Sequence, residues 1–163
     1  MEQNRCETRS ATTFNSSWSI RGTDEIQFVR DYEYGDIEKI HDPKEPGEFQ
    51  DWQIAEYTNY TKTILHGEKV VAVIGIVKMW NGVGQGFVIT SASYKGGIRY
   101  LRTTAQHLIK GMGELGLWRV QTYKDESWLE SARFAKLLKL KHEAVLKKMS
   151  PDGADLSLYA RVE

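Results

Sequence analysis

The sequence predicts an α/β (α+β) domain, with a mixed, mostly antiparallel sheet, a central parallel pair and flanking helices. Three features point there. Residues 61–91 hold β-branched runs separated by turn residues. A long amphipathic helical pattern follows and leads to another strand. From Trp128 to Val162 the chain then reads helix, strand, polar turn, strand.

Residues 1–23 are rich in Ser, Thr and Asn and lack periodicity, apart from Phe14, Trp18 and Ile20. They read as a flexible polar arm before a domain over residues 24–163, and the two aromatics suit an anchor to the domain or to a protein partner. Ile26–Arg30 alternates as a first strand, and 31–40 reads as a short helix that Asp42-Pro43 and Pro46-Gly47 end. A second short helix is expected over 49–57, with Phe49, Trp52 and Ile54 or Ala55 inward. Strands over 61–65, 70–80 and 86–91 form an antiparallel meander, its second turn being Asn81-Gly82. The helix over 97–114 repeats Ile98, Leu101, Ala105, Leu108, Ile109, Met112 and Leu115 at helical spacing, with Gly111, Gly113 and Gly116 weakening its end. It joins the 86–91 strand to one at 118–123, and a crossover of that length implies a parallel pair. A helix over 128–140 and two strands close the chain.

The chain has 163 residues, 40% hydrophobic and 27% charged, enough for one real core. Its longest apolar run, Val70–Val77, is too short for a membrane span. No basic segment runs into an apolar one at the N-terminus, so no signal peptide is expected. Cys6 is the sole cysteine, which fits a reducing, cytoplasmic compartment. Net charge is +0, but residues 1–60 carry 6 Lys+Arg against 13 Asp+Glu, and residues 95–148 carry 12 against 5. This split suits two solvated faces, a phosphate-bearing ligand on the basic half, or attraction between copies in a homo-oligomer.

The turn Ser93-Tyr94-Lys95-Gly96-Gly97-Ile98-Arg99 links a strand to the long helix. It presents free backbone N–H groups and the positive end of the helix dipole, and Lys95 and Arg99 add charge. An ordinary strand-to-helix turn would also use glycine here. His41, His66, His107 and His142 show no metal-ligand spacing and read as surface residues, so no metal is expected. Trp52, Trp80, Trp118 and Trp128 read as mostly core, with Trp80 the one placed to line a cleft. Lys136, Lys139, Lys141, Lys147 and Lys148 lack interleaved stacking aromatics, which argues against nucleic acid.

Gly86-Phe87-Val88-Ile89-Thr90, the Lys95-Gly96-Gly97 turn and the run Ser131–Leu146 resemble the GNAT-fold acyl-CoA N-acyltransferases. The likeness spans roughly residues 25–163, and its wording is closest to small, divergent acetyltransferase-like proteins of tailed, T7-like phages. It implies acetyl-CoA as cofactor and an amine substrate. Val88, Ile89 and Thr90 would hold the pantetheine arm, and Lys95, Gly96, Gly97, Ile98 and Arg99 the pyrophosphate. Backbone N–H groups would stabilise the oxyanion, and a hydroxyl near the last helix would protonate the thiolate.

This sequence departs from that pattern in three places. The family's second glycine falls on Ile98 or Arg99, its acidic Tyr on Ala135, and its helix-ending Gly-Phe on Lys139-Leu140, which alters the expected cap. Ser127 and Tyr123 are the substitute hydroxyls by position, although Ser127 also suits an N-cap and Tyr123 a plain strand residue. Two functions stay open: an N-acetyltransferase, and a catalytically degenerate binding or virion-assembly module whose setting would be the host cytoplasm or the particle.

Overall fold

A computed structural model of the chain describes residues 27–40, 42–43, 50–124 and 129–163. The expected arm over 1–23, with Phe14 and Trp18, lies outside these residues, as do His41, Phe49, Ser127 and Trp128. Among the described residues the strands are β1 (Gln27–Asp31), β2 (Tyr60–His66), β3 (Lys69–Trp80), β4 (Val83–Thr90), β5 (Arg119–Lys124), β6 (Lys141–Leu146) and β7 (Leu156–Val162). The helices are α1 (Asp51–Tyr57), α2 (Gly97–Glu114) and α3 (Leu129–Leu137), with one 3-10 turn at Ile37–Lys39. The sheet order is β1-β2-β3-β4-β5-β7-β6, with every pairing antiparallel except β4–β5.

β3 is the spine of the sheet. Val70–Ile76 is buried on both faces, which is why this strand reads as a continuous apolar run. On one face Ile64, Ala72, Ile74 and Ile76 pack against Tyr100, Ala105, Leu108 and Met112 of α2. On the other, Val70, Val73, Phe87 and Ile89 pack against Ile40 and Ile54, beneath the 3-10 turn and α1. A bulge interrupts the register: Ile64 pairs with Ala72 but Leu65 with Val70, leaving Val71 unopposed. Val71 and Ala72 therefore both join the core under α2.

Several expectations need correction. The helix expected over 31–40 is only the single 3-10 turn: Asp31 belongs to β1, and Gly35 turns the chain at φ 89. Trp52 and Trp118 are not core residues, being 50% and 52% exposed. Burial there is supplied by Ile54 and Leu117, and a tryptophan is large enough to cover a surface with one face and meet water with the other. The altered cap of α3 turns out to be conformationally intact. Lys139 takes the left-handed φ of 55 that glycine would take, Leu140 N–H donates to Ala135 O at 2.9 Å, and the Schellman geometry is kept without a glycine.

The segment between β1 and the 3-10 turn is held by a buried carboxylate. Asp36 is fully buried and accepts from both Arg30 nitrogens at 2.7 and 2.8 Å, from Thr63 Oγ1 at 2.7 Å, from Lys39 Nζ at 3.0 Å and from the Glu33 amide at 3.0 Å. Burial alone would raise this carboxyl, but the five donors together hold it far below the usual carboxylate range. Its contribution to stability is therefore complete above the unfolded-state value of about 4 and is lost progressively as pH falls from there towards the much lower folded-state value.

Asp36→Ala is expected to cost about 3 kcal/mol, the low end for a broken buried pair because Arg30 keeps contact with water. In denaturant titrations the gap between wild type and variant should be constant above about pH 5 and narrow progressively below about pH 4; a pH-independent gap would contradict the network. Lys139→Gly removes a left-handed non-glycine residue and should raise stability by up to about 1 kcal/mol, read as a higher denaturation midpoint at unchanged slope.

Candidate functional site

The site begins at the bulge. Val71 O accepts from Ser91 N–H at 3.1 Å and from Thr90 Oγ1 at 3.3 Å, so the unopposed residue of β3 anchors the end of β4. Tyr100 Oη donates to Thr90 Oγ1 at 2.9 Å, tying the first turn of α2 to the same point. Burial pushes the Tyr100 phenol up to about 12, so it stays protonated and a donor. Tyr94 stands edge-on to Tyr100 at 5.2 Å and shares a 3.0 Å hydrogen bond with His66 Nδ1. His66, expected as a surface residue, is thus half-buried at the end of β2 and braces the turn.

Two glycines form this turn for different reasons. At Gly96 a Cβ would lie 2.5 Å from Tyr100 Cβ and against the Tyr94 ring, so only glycine lets the tyrosines close over the backbone. At Gly97 the requirement is conformational: φ is 60, and the space a Cβ would enter is open. α2 is an 18-residue helix whose Gly96 start has no side-chain cap bond, and its first N–H groups have no intrahelical acceptor. A cavity of about 290 Å³ lies there, lined by Thr90, Ser91, Lys95, Gly97, Ile98 and Arg133 among others. Lys95 and Arg133 are exposed cations at its wall, Arg133 coming from α3.

From this cavity β4 runs towards a fork in the sheet. β4 and β5 are paired only at Val83↔Arg119, Gly84↔Val120 and Gln85↔Gln121. Beyond Gln85, no described strand lies on that edge of β4, while β5 continues on β7 as far as Lys124↔Ser157. The β4–β5 ladder thus ends at Gln85, and this edge of β4 turns from β5 towards the cavity. A second cavity, of about 160 Å³, fills the fork under α2 and α3. Gly86, Val88, Leu108, Met112, Ala135 and Leu138 line its apolar side.

The residues expected from the sequence are distributed over these two cavities. Thr90, Lys95, Gly96, Gly97 and Ile98 line the first; Val88 and Tyr123 line the second. Ile89 is buried towards the opposite layer and pairs with Val73, so its peptide groups face β3 rather than the fork. Arg99 is exposed on α2 and lines neither cavity. Trp80, expected to line a cleft, is 60% exposed and lines neither. His107 is also no surface residue: its Nδ1 is buried without a partner, and burial with Lys110 and Lys62 nearby lowers the imidazole's pKa. No group of His, Cys, Asp and Glu able to hold a metal occurs among the described residues.

Sequence reasoning missed Arg133, Ser131, Tyr159 and Arg161. Ser131 was within reach, because it lies four residues before Ala135 on one face of α3 and both line the second cavity. Tyr159 and Arg161 arrive through β7 pairing with Thr122 and Val120, a register the strand pattern alone does not supply.

No family model and no curated protein matches this chain. Solved structures do match. The acetyltransferase of the GNAT family from Bacillus anthracis is similar with a TM-score of 0.64 and 18% identity, over 83% of this chain and 94% of that one. The ribosomal-protein-S18-alanine N-acetyltransferase from Escherichia coli gives 0.62 and 14%, over 84% and 94%. The yncA protein of Salmonella typhimurium, solved with its cofactor acetyl-CoA, gives 0.64 and 12%, over 83% and 93%. Likeness at such identities is a likeness of backbone, and with the seven-stranded mixed sheet and its single parallel pair it shows that the chain has the GNAT fold.

Proposed function

We propose that the chain is a GNAT-like N-acetyltransferase, taking an acyl group from acetyl-CoA to an amine substrate. The observation that carries this reading is continuity: an open, cationic helix start at one end of the strand edge that β5 has left, and a cavity in a sheet fork at the other.

The residues present suit a pantetheine-linked diphosphate. The Gly96–Gly97 amides at the start of α2 offer donors and dipole to phosphate oxygens, and Lys95 and Arg133 offer charge; Ile98 and Arg99 follow on the same turn. On the edge that β5 has left, Val88 and Thr90 offer backbone partners to an amide-bearing arm, with Ile89 between them held on β3. When bound, the thioester supplies an activated acyl group: a C–N bond forms as the C–S bond breaks, and the proton leaving nitrogen ends on sulfur. N–H groups on the β4 edge would stabilise charge on the carbonyl oxygen. Ala135 has no proton to give. Tyr123, on the wall of the fork cavity, is the candidate hydroxyl for the thiolate, with Ser127 kept as a candidate by sequence position alone.

A second reading, a GNAT-fold binding or assembly module without catalysis, draws on exposed apolar side chains at the far end of the sheet. Trp80, Trp118 and Val162 lie largely exposed near one another, joined by the Trp118 N–H to Gly82 O and Glu163 N–H to Trp118 O bonds. The tailed-phage setting of that reading rests on the sequence runs alone.

Acetyl-CoA at a hundred times its Kd should stabilise the full chain by about 2.7 kcal/mol, raising Tm by roughly 5–10 °C. Reversing Lys95 and Arg133 together to Glu should weaken binding at least about tenfold, since each charge-assisted bond is worth roughly 1.5–3 kcal/mol. A flat melting curve and a silent calorimetric titration with acetyl-CoA would leave the module reading in its place.

A further inference from the structure

We infer that the cavity in the fork receives an acyl chain longer than acetyl, of about six carbons, which makes a medium-chain acyl-CoA the preferred donor. This rests on the reading of the chain as an acyl-CoA-dependent transferase and names the substrate class of that same site.

Depth is the first reason. Leu108, Ile109 and Met112 line the cavity from α2, and Leu108 is eleven residues beyond Gly97. At 1.5 Å per residue the cavity sits about 16 Å down the helix from the phosphate-binding turn. Along β4, Gly86 is four residues back from Thr90, roughly 13 Å of strand. The space is thus at the far end of the strand edge, where the reacting end of a donor would arrive.

The character of the wall is the second. α2 contributes only Leu108, Ile109 and Met112. The α3 side contributes Phe134, Ala135 and Leu138, with Ser131 its one polar member. The remaining polar lining, Gln85, Thr122, Tyr123, Lys124, Tyr159 and Arg161, comes from the strands. Between the helices the surface is hydrocarbon, and an acetyl methyl would cover little of it. Ala135 is central here: a methyl stub on the buried inner face of α3 leaves volume that a larger side chain would occupy.

Size is the third. The cavity measures about 160 Å³. An apolar protein cavity of about 150 Å³ takes up benzene, six carbons in all. Each methylene moved from water into such a space is worth up to about fourfold in affinity.

The test is a calorimetric series on the full chain with free CoA and with acetyl-, butanoyl-, hexanoyl-, octanoyl- and dodecanoyl-CoA. Affinity should climb from acetyl to hexanoyl by at least about tenfold, then level off, because longer chains must leave the cavity. Ala135→Phe should abolish the preference, and the milder Ala135→Val should reduce it should the larger side chain disturb folding. Free CoA that binds while acetyl and hexanoyl forms are equal would overturn the chain-length inference and leave the transferase reading standing. A climb that continues undiminished to dodecanoyl-CoA would also overturn it, as adsorption to an apolar surface. No binding of free CoA or of any acyl-CoA would remove both readings together.

Discussion

Everything in this molecule that resembles a site depends on the early parting of β4 and β5. The two strands share three parallel pairs and then separate, β4 towards the start of α2 and β5 along β7. α2 provides the connection that a parallel pair requires, and α2 with α3 roofs the gap. A sheet that stayed closed would satisfy its own peptide groups and bury its own side chains. The open fork instead leaves a strand edge that β5 has parted from, a cavity lined by two helices, and a helix start at the upper end.

The fork keeps its shape because both of its walls are fixed elsewhere. β4 is held by β3 along its length and by the Val71 bulge at its end, where Ser91 and Thr90 donate to one carbonyl. β5 is held by six pairings with β7. Beneath the sheet, the Asp36 network pins the crossing between β1 and the 3-10 turn, so the layer bearing Ile40, Ile54 and Phe87 cannot slide. Buried charge is an expensive anchor, and five donors on one carboxylate offset that cost.

Particular residues show how far the sequence could be read. The span of α2, from Gly97 to Glu114, was plain from its apolar stripe, and the Asn81-Gly82 turn from its own chemistry. The segment over 31–40 departs from the helix its pattern suggests because Asp36 serves Arg30 on β1 and the distant Thr63 on β2, partners about which helical propensity carries no information. Lys139-Leu140 reads as an altered cap, and the chain still adopts the left-handed turn there; the Leu140 N–H to Ala135 O bond and packing of Leu140 against the core offset the strain. His66 and Trp118 were misjudged in opposite directions, since burial of a single residue is decided by neighbours distant in sequence.

The sequence by itself determined the order of the elements, the meander, the crossover and hence the parallel pair. Those follow from periodicity and turn chemistry, which are local and additive along the chain. It also marked the Lys95–Arg99 turn as a glycine-bearing strand-to-helix connection, without separating a ligand-binding turn from an ordinary one. Only the tertiary structure decided where β4 and β5 part, that Arg133 of α3 meets the α2 turn, and that Ala135 faces a cavity rather than a packed neighbour. Each of those is a distance between segments that approach only in the folded chain, set by register, bulge and packing together, and no spacing along the sequence encodes it.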